Sequence, residues 1–276
     1  MHIQSIPMWT GSHNNYAYLV IDDKSESKDA VIIDPAHPEE VVPVLKPQTD
    51  AKAINLNAIV NTHHHWDHAG GNSELLTHFK GLQVIGGKDC QAVTKTPEHK
   101  STFKIGQNIT VTALHTPCHT QDSICWFMED GDDRVVFTGD TLFIGGTSTS
   151  SLASIVQRLM MKEGCGRFFE GTPAEMDTAL NETLAALPPD TKVYPGHEYT
   201  MQNVKFLLKA LPKSDHVREL ETFAQNNKQT QGKKTIGNEK EYNVFMRLQD
   251  PVVQEFTGQK DSVEVMRVLR EQKNAG

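Results

Sequence analysis

The feature that most constrains this chain is the stretch Thr62-His63-His64-His65-Trp66-Asp67-His68-Ala69-Gly70-Gly71-Asn72, which places four potential metal ligands, His63, His65, Asp67 and His68, within six residues. It follows the apolar run Leu56 to Asn61, short enough for a buried strand, and precedes Ser73 to Lys80, which reads as helix. The histidines therefore occupy a strand-to-helix corner. There His63 and His65, two residues apart, can point the same way, while Asp67 and His68 project differently as the backbone turns into the helix. One segment can thus serve two neighbouring ions. Imidazole nitrogen with carboxylate oxygen suits borderline metals such as zinc or iron, and the lack of a nearby cysteine pair argues against a closed structural zinc site.

A chain of 276 residues makes one large domain or two smaller ones and is long enough to bury a core. The net charge of -8, from 35 acidic and 27 basic residues, excludes a broad basic surface for nucleic acid or anionic lipid. Any anionic ligand must then be gripped by a local cluster. Cys90, Cys118, Cys125 and Cys165 have no framework spacing, and the first residues resemble neither a secretory signal nor a mitochondrial presequence. No apolar run approaches membrane-spanning length. The expectation is a cytoplasmic protein without a membrane partner.

Taken in order, Tyr16 to Ile21 and Ala30 to Asp34 read as strands of a hairpin, followed by a short helix over Glu39 to Leu45. Further strands are expected at Leu82 to Gly87, Ile109 to Leu114, Ser123 to Met128, Val135 to Thr138 and Lys192 to Tyr194. Thr172-Pro173-Ala174-Glu175 is a capping box opening a helix with the apolar stripe Met176, Leu180, Leu184 and Leu187. Beyond Gly196 the pattern turns helical, with helices over Met201 to Leu211, Ser214 to Lys228, Tyr242 to Leu248 and Ser262 to Lys273, and an exposed loop over Asn226 to Lys234. The expected division is residues 1–196 and 197–276.

Three later segments each place a ligand-type residue straight after a strand: His119 in Thr116 to Thr120, Asp140 in Thr138 to Thr141, and His197 in Tyr194 to Tyr199. His64 and His115 read as supporting or packing residues beside them. Cys118 next to His119 also suggests a Cys–His nucleophile, a weaker reading because metals would compete for both groups.

With this order of motifs the sequence resembles the metallo-β-lactamase superfamily and, within it, glyoxalase II, the hydroxyacylglutathione hydrolases. The superfamily part is His63-x-His65-x-Asp67-His68 with His119, Asp140 and His197; the narrower part is Gly164-Cys165-Gly166-Arg167-Phe168-Phe169-Glu170-Gly171, Gly196-His197-Glu198-Tyr199-Thr200 and the helical tail. The resemblance implies an α/β fold, an αββα sandwich followed by a C-terminal helical domain. It implies that His63, His65 and His119 bind one metal ion, that Asp67, His68 and His197 bind a second, and that Asp140 bridges them. Two divalent ions per chain, zinc with iron or manganese as alternatives, are expected.

Two ions about 3.5 to 4 Å apart can hold a bridging water as hydroxide near neutral pH, so that no side-chain base is needed. Asp140 would set the spacing and Asp67 would help orient the nucleophile. A thioester fits such a site because its leaving thiol, with a pKa around 8.5, departs as thiolate without a general acid. The resemblance further implies that glutathione carboxylates are met by Arg167, Tyr199, Arg270 and Lys273, with Phe169 against the ligand. Arg270 and Lys273, three apart, share a helix face.

Two departures stand out. Phe169 takes a place where the family often has tyrosine, so a hydrogen bond is missing there. Residues near 147–164, from Thr147 to Gly164, interrupt a run that is nearly direct in the family, adding 18 residues. They are either a lid over the glutathione site or a retained intron or gene-model error; transcript reads spanning them would decide.

The expected activity is hydrolysis of S-2-hydroxyacylglutathione, such as S-D-lactoylglutathione, to glutathione and a 2-hydroxy acid, by a monomer. Two alternatives are a mononuclear-iron glutathione-persulfide dioxygenase, against which the developed tail speaks, and a non-catalytic metal-binding homologue disabled by the insertion.

Overall fold

The computed structural model describes residues 1–147 and 170–275. Arg167, Phe169 and all of the extra segment except Thr147 lie outside the described residues. The chain divides into two compact units, Met1–His115 with Asp122–Gly139, and Thr116–Gln121 with Asp140–Gly276.

The first unit begins with β1 (His2–Met8), β2 (Asn15–Ile21), β3 (Asp29–Ile33), α1 (Pro38–Asp50), β4 (Asn55–Val60), α2 (Trp66–Ala69), α3 (Asn72–His78) and β5 (Gln83–Ile85). These five strands form one sheet in the order β1-β2-β3-β4-β5. The expected β2–β3 hairpin is present and antiparallel, whereas β3 and β4 run parallel. A parallel neighbour needs a crossover connection, and α1 supplies it. Every residue of β2 is buried, which explains why it reads as a continuous apolar run. Ala17, Leu19 and Ile21 join Val41, Leu45 and Leu75 of the helices in one core cluster. The alternate residue Tyr18 turns the other way, its ring 5.2 Å from that of Phe137.

Phe137 belongs to β9 (Asp133–Gly139), which follows β6 (Thr102–Ile105), β7 (Ile109–His115) and β8 (Ile124–Asp130). In the second sheet these lie in the order β9-β8-β7-β6, antiparallel throughout. Sequence reading missed β1 and β6. Pro7 weakens the strand signal of β1, yet an edge strand tolerates it; β6 is only four residues long.

The second unit contains α4 (Pro173–Asp177), β10 (Lys192–Pro195), α5 (Thr200–Ala210), α6 (Asp215–Asn226), α7 (Ile236–Tyr242), α8 (Pro251–Thr257) and α9 (Ser262–Ala275). The capping box at Thr172 and Glu175 forms as expected. The helix then widens to a π-helical stretch over Thr178–Leu184, closed by Ala185 N–H donating to Leu180 O. Met176, Leu180 and Leu184 are buried.

Two expectations for this unit are corrected. The helix placed at 242–248 is instead α7, capped by Thr235 and Asn238; a 3₁₀ turn over Val244–Met246 follows, and α8 starts afresh at the cap Asp250. Local capping by these polar side chains overrides the apolar pattern. The loop over 226–234 is not wholly exposed: Thr230 is buried and donates its N–H and hydroxyl to the Glu198 carboxylate, at 2.7 and 2.9 Å.

Candidate metal centre

The expected strand-to-helix corner is found in the first unit, directly after β4 and opening with α2. His63 and His68 are buried there, with ring centroids 4.1 Å apart, and the ring of His65 lies 4.8 Å from that of His63. A buried carboxylate organises this corner. Asp34 Oδ1 accepts the Thr62 N–H at 2.8 Å, and Asp34 Oδ2 accepts the Thr62 hydroxyl at 2.6 Å and His68 Nδ1–H at 2.9 Å. With its hydrogen committed to Asp34, the Thr62 hydroxyl accepts from His63 Nδ1 at 3.1 Å. Both rings are thereby set in the tautomer that leaves the Nε2 lone pair for a cation.

Asp67 is placed by Asn15 of β2, whose amide donates to the Asp67 backbone carbonyl at 2.8 Å and to its Oδ2 at 3.3 Å. His64, the middle histidine, donates from Nδ1 to buried Asp122 at 2.8 Å. His115 is exposed at the end of β7, and its N–H donates to His99 Nδ1 at 3.0 Å. Gly139 closes β9 with φ +47°, and a Cβ there would lie 2.4 Å from Thr62 Oγ1 and 2.6 Å from Thr62 Cβ. Only a glycine lets the end of β9 come so close to the residue preceding His63.

In the second unit His119, Asp140 and His197 come together. Asp140 Oδ2 lies 3.4 Å from His119 Nε2, and Asp140 Oδ1 lies 3.4 Å from His197 Nε2. Each carboxylate oxygen thus faces a different buried imidazole. The Tyr199 ring stacks on His197 at 4.7 Å and 7°, and Phe143 packs edge-on against Tyr199 at 5.2 Å. Both clusters fit a divalent cation: Thr62 and Asp34 bind the Nδ1 atoms of His63 and His68, and in the second unit the Nε2 atoms of His119 and His197 face the Asp140 carboxylate, so each offers the imidazole and carboxylate donors such ions prefer.

Cys118 is no nucleophile. Its thiol is buried, donates to Thr172 O at 3.4 Å, and is pushed up to about 12, chiefly by burial and then by Glu175. Arg270 on α9 is also buried, and burial brings its pKa down to about 10. Lys273, one turn on, donates to Thr147 O at 3.0 Å and Asn203 Oδ1 at 2.7 Å, which leaves one of its three N–H groups for another acceptor. Burial first, then Arg270, pulls its pKa well below the usual lysine range.

Sequence reading missed Asn15, Asp34 and Asp122. Asp34 carried a signal, an acidic residue ending an apolar strand before Pro35, but only the parallel pairing of β3 with β4 brings it to Thr62 and His68.

An αββ arrangement carrying these histidine and aspartate clusters defines the class. Residues 11–197 match the model of the metallo-beta-lactamase superfamily, whose members bind divalent metal. Residues 198–276 match the hydroxyacylglutathione hydrolase C-terminus model. The chain is 48% identical to a Schizosaccharomyces pombe protein named probable hydroxyacylglutathione hydrolase glo2, covering 99% of this chain and 98% of that one. It is 42% identical to the cytoplasmic isozyme of hydroxyacylglutathione hydrolase from Saccharomyces cerevisiae, covering 99% of each. The chain belongs to the hydroxyacylglutathione hydrolase family. Among solved structures, ETHE1 from Myxococcus xanthus is similar with a TM-score of 0.63 at 24% identity, covering 99% of this chain and 91% of that one, which shows the shared fold alone.

Proposed function

We propose that this chain is a thioester hydrolase that converts an S-2-hydroxyacylglutathione, such as S-D-lactoylglutathione, to glutathione and a 2-hydroxy acid, the second step of methylglyoxal detoxification. The observation that carries this reading is Asp140, whose two oxygens each face a separate imidazole, in a chain whose tail matches the hydroxyacylglutathione hydrolase C-terminus.

In this reading His63, His65 and His119 would hold one divalent ion, Asp67, His68 and His197 would hold a second, and Asp140 would serve both. Residues 1–196 form the catalytic part and residues 197–276 the substrate-binding part. When bound, such ions supply Lewis acidity and acidify water to near neutral pH. Asp34 and Thr62 keep the Nε2 atoms of His63 and His68 available. Asp67, fixed by Asn15, orients the attacking water at its carboxylate. Arg167, Tyr199, Arg270 and Lys273 meet the glutathione carboxylates, with Phe169 packing against the ligand. The departing thiol needs no acid at these pKa values, so no side chain is assigned to protonate it. The names of the relatives support a cytoplasmic setting, zinc is the favoured metal, and the chain acts as a monomer.

Steady-state hydrolysis of S-D-lactoylglutathione by the purified chain, with bound metal quantified on the same sample, tests this. Turnover with about two ions per chain is the expected result. A full metal complement without turnover on this substrate would overturn the reading.

A further inference from the structure

The loop 141–147, which leads away from Asp140, is tied to the C-terminal helices at four successive residues. Asn203 Nδ2 donates to Ile144 O at 2.9 Å, and Gly145 N–H donates to both oxygens of Glu239, at 3.2 and 3.0 Å. Asn243 Nδ2 donates to Gly146 O at 3.4 Å, and Lys273 Nζ to Thr147 O at 3.0 Å. The loop also closes on itself, because the Thr147 hydroxyl donates to Thr141 O at 2.6 Å, directly beside Asp140.

Glu239 is the hub of these ties. It is fully buried on α7 and also accepts from Tyr242 OH at 2.7 Å and from Asn243 Nδ2 at 2.9 Å. Its neighbours are donors that would be left unsatisfied in its absence, and a buried carboxylate is otherwise an unfavourable residue for a helix core. Something must offset that cost. The same loop carries Phe143, whose ring braces Tyr199 at 5.2 Å and His197 at 6.0 Å.

We propose that Glu239 is a positioning residue for the metal centre: by holding Gly145 it fixes the loop that sets Asp140 at one end and braces His197 through Phe143. The proposal rests on the hydrolase reading for its kinetic arm only. The loop is rigid because Glu239 accepts from it, and the two ligands keep their mutual spacing because the loop is rigid.

The test compares zinc affinity of the metal-free chain, measured with a competing chromophoric chelator, together with kcat and KM, in Glu239→Ala and Glu239→Gln. The alanine variant is expected to bind zinc about tenfold more weakly and to lose about 10- to 100-fold in kcat, with KM changed by no more than about threefold. The glutamine variant, which still accepts from Gly145, regains most of both. Should Glu239→Ala not fold, Asn243→Ala removes one tie and carries the same comparison with a smaller loss. Unchanged zinc affinity in the folded variants overturns the proposal, as does a glutamine variant no better than alanine. If the unmodified chain fails to turn over S-D-lactoylglutathione while the affinity difference persists, the hydrolase reading falls and the positioning role stands.

Discussion

In the first unit, His63, His65, Asp67 and His68 come from one contiguous stretch, and the carboxylate of Asp34, just past the end of β3, holds His68 directly and His63 through Thr62. In the second unit, His119, Asp140 and His197 come from three separate segments, and helices from the far end of the chain hold the loop that follows Asp140. The first cluster is built by local sequence plus one sheet register. In the second, the loop that follows Asp140 is hydrogen-bonded to the C-terminal helices. A ligand set can therefore share one chemistry and differ in what its geometry depends on, and the two halves should fail differently when their supports are removed.

The sharpest way to break this comparison is at the ligands themselves. His65→Ala is expected to leave about one ion per chain, whereas Asp140→Ala, which removes the group facing two imidazoles, is expected to leave close to none; both should cost on the order of 10³ or more in kcat/KM. Metal analysis after gel filtration reads the difference, and equal losses of metal would remove the bridging role of Asp140. Next in size is Asp34→Ala, which releases Thr62 and His68 together and should lower activity about 10- to 100-fold. Asp122→Asn alters the partner of His64 Nδ1 and should cost less than about threefold in the same assay; an effect as large as that of Asp34→Ala would make His64 more than a supporting residue.

The smallest contrast is in pH dependence, where each unit contributes one buried carboxylate. Burial opposes ionisation of Asp22, but hydrogen bonds from the Asn108 side chain and the Asn108 and Gln107 amides outweigh it and bring the carboxyl down to about 2. Its stabilising contribution is thus present above the ordinary 3.8 and lost as pH falls towards 2. Burial dominates at Glu239 and raises it from 4.5 to about 7, so the folded chain keeps a proton that the unfolded chain has released. Stability relative to Glu239→Gln should therefore decline as pH rises from 4.5 to about 7 and then level off. Melting curves of the two proteins across that range check the sign, and a gap independent of pH would refute it.

The contrast also explains what was legible in the sequence. The corner at His63 could be read because its candidate ligands are adjacent and flanked by a recognisable strand and helix. His119, Asp140 and His197 could be picked out only because each follows a strand. Distant supports in either unit could not be read, since Glu239 lies 94 residues from Gly145 and Asn15 lies 52 from Asp67. Nothing in local pattern marks such partners; long-range packing creates them. The tail departs from the helix expected over 242–248 because Asn243 and Asp250 act as caps and interrupt an apolar run that otherwise looks continuous.

The contact between Gly139 and Thr62 bears on how such a chain can drift over generations. An added Cβ at 139 would meet both the hydroxyl of Thr62 at 2.4 Å and its Cβ at 2.6 Å, so trimming Thr62 to alanine would still leave an obstruction. Trimming it to glycine would make room but would remove the hydroxyl that joins Asp34 to His63. Neither order of mutations passes through an intact corner, and the two positions are bound to one another by epistasis. A lineage that keeps the ligands must keep this pair, however freely the surface around it changes.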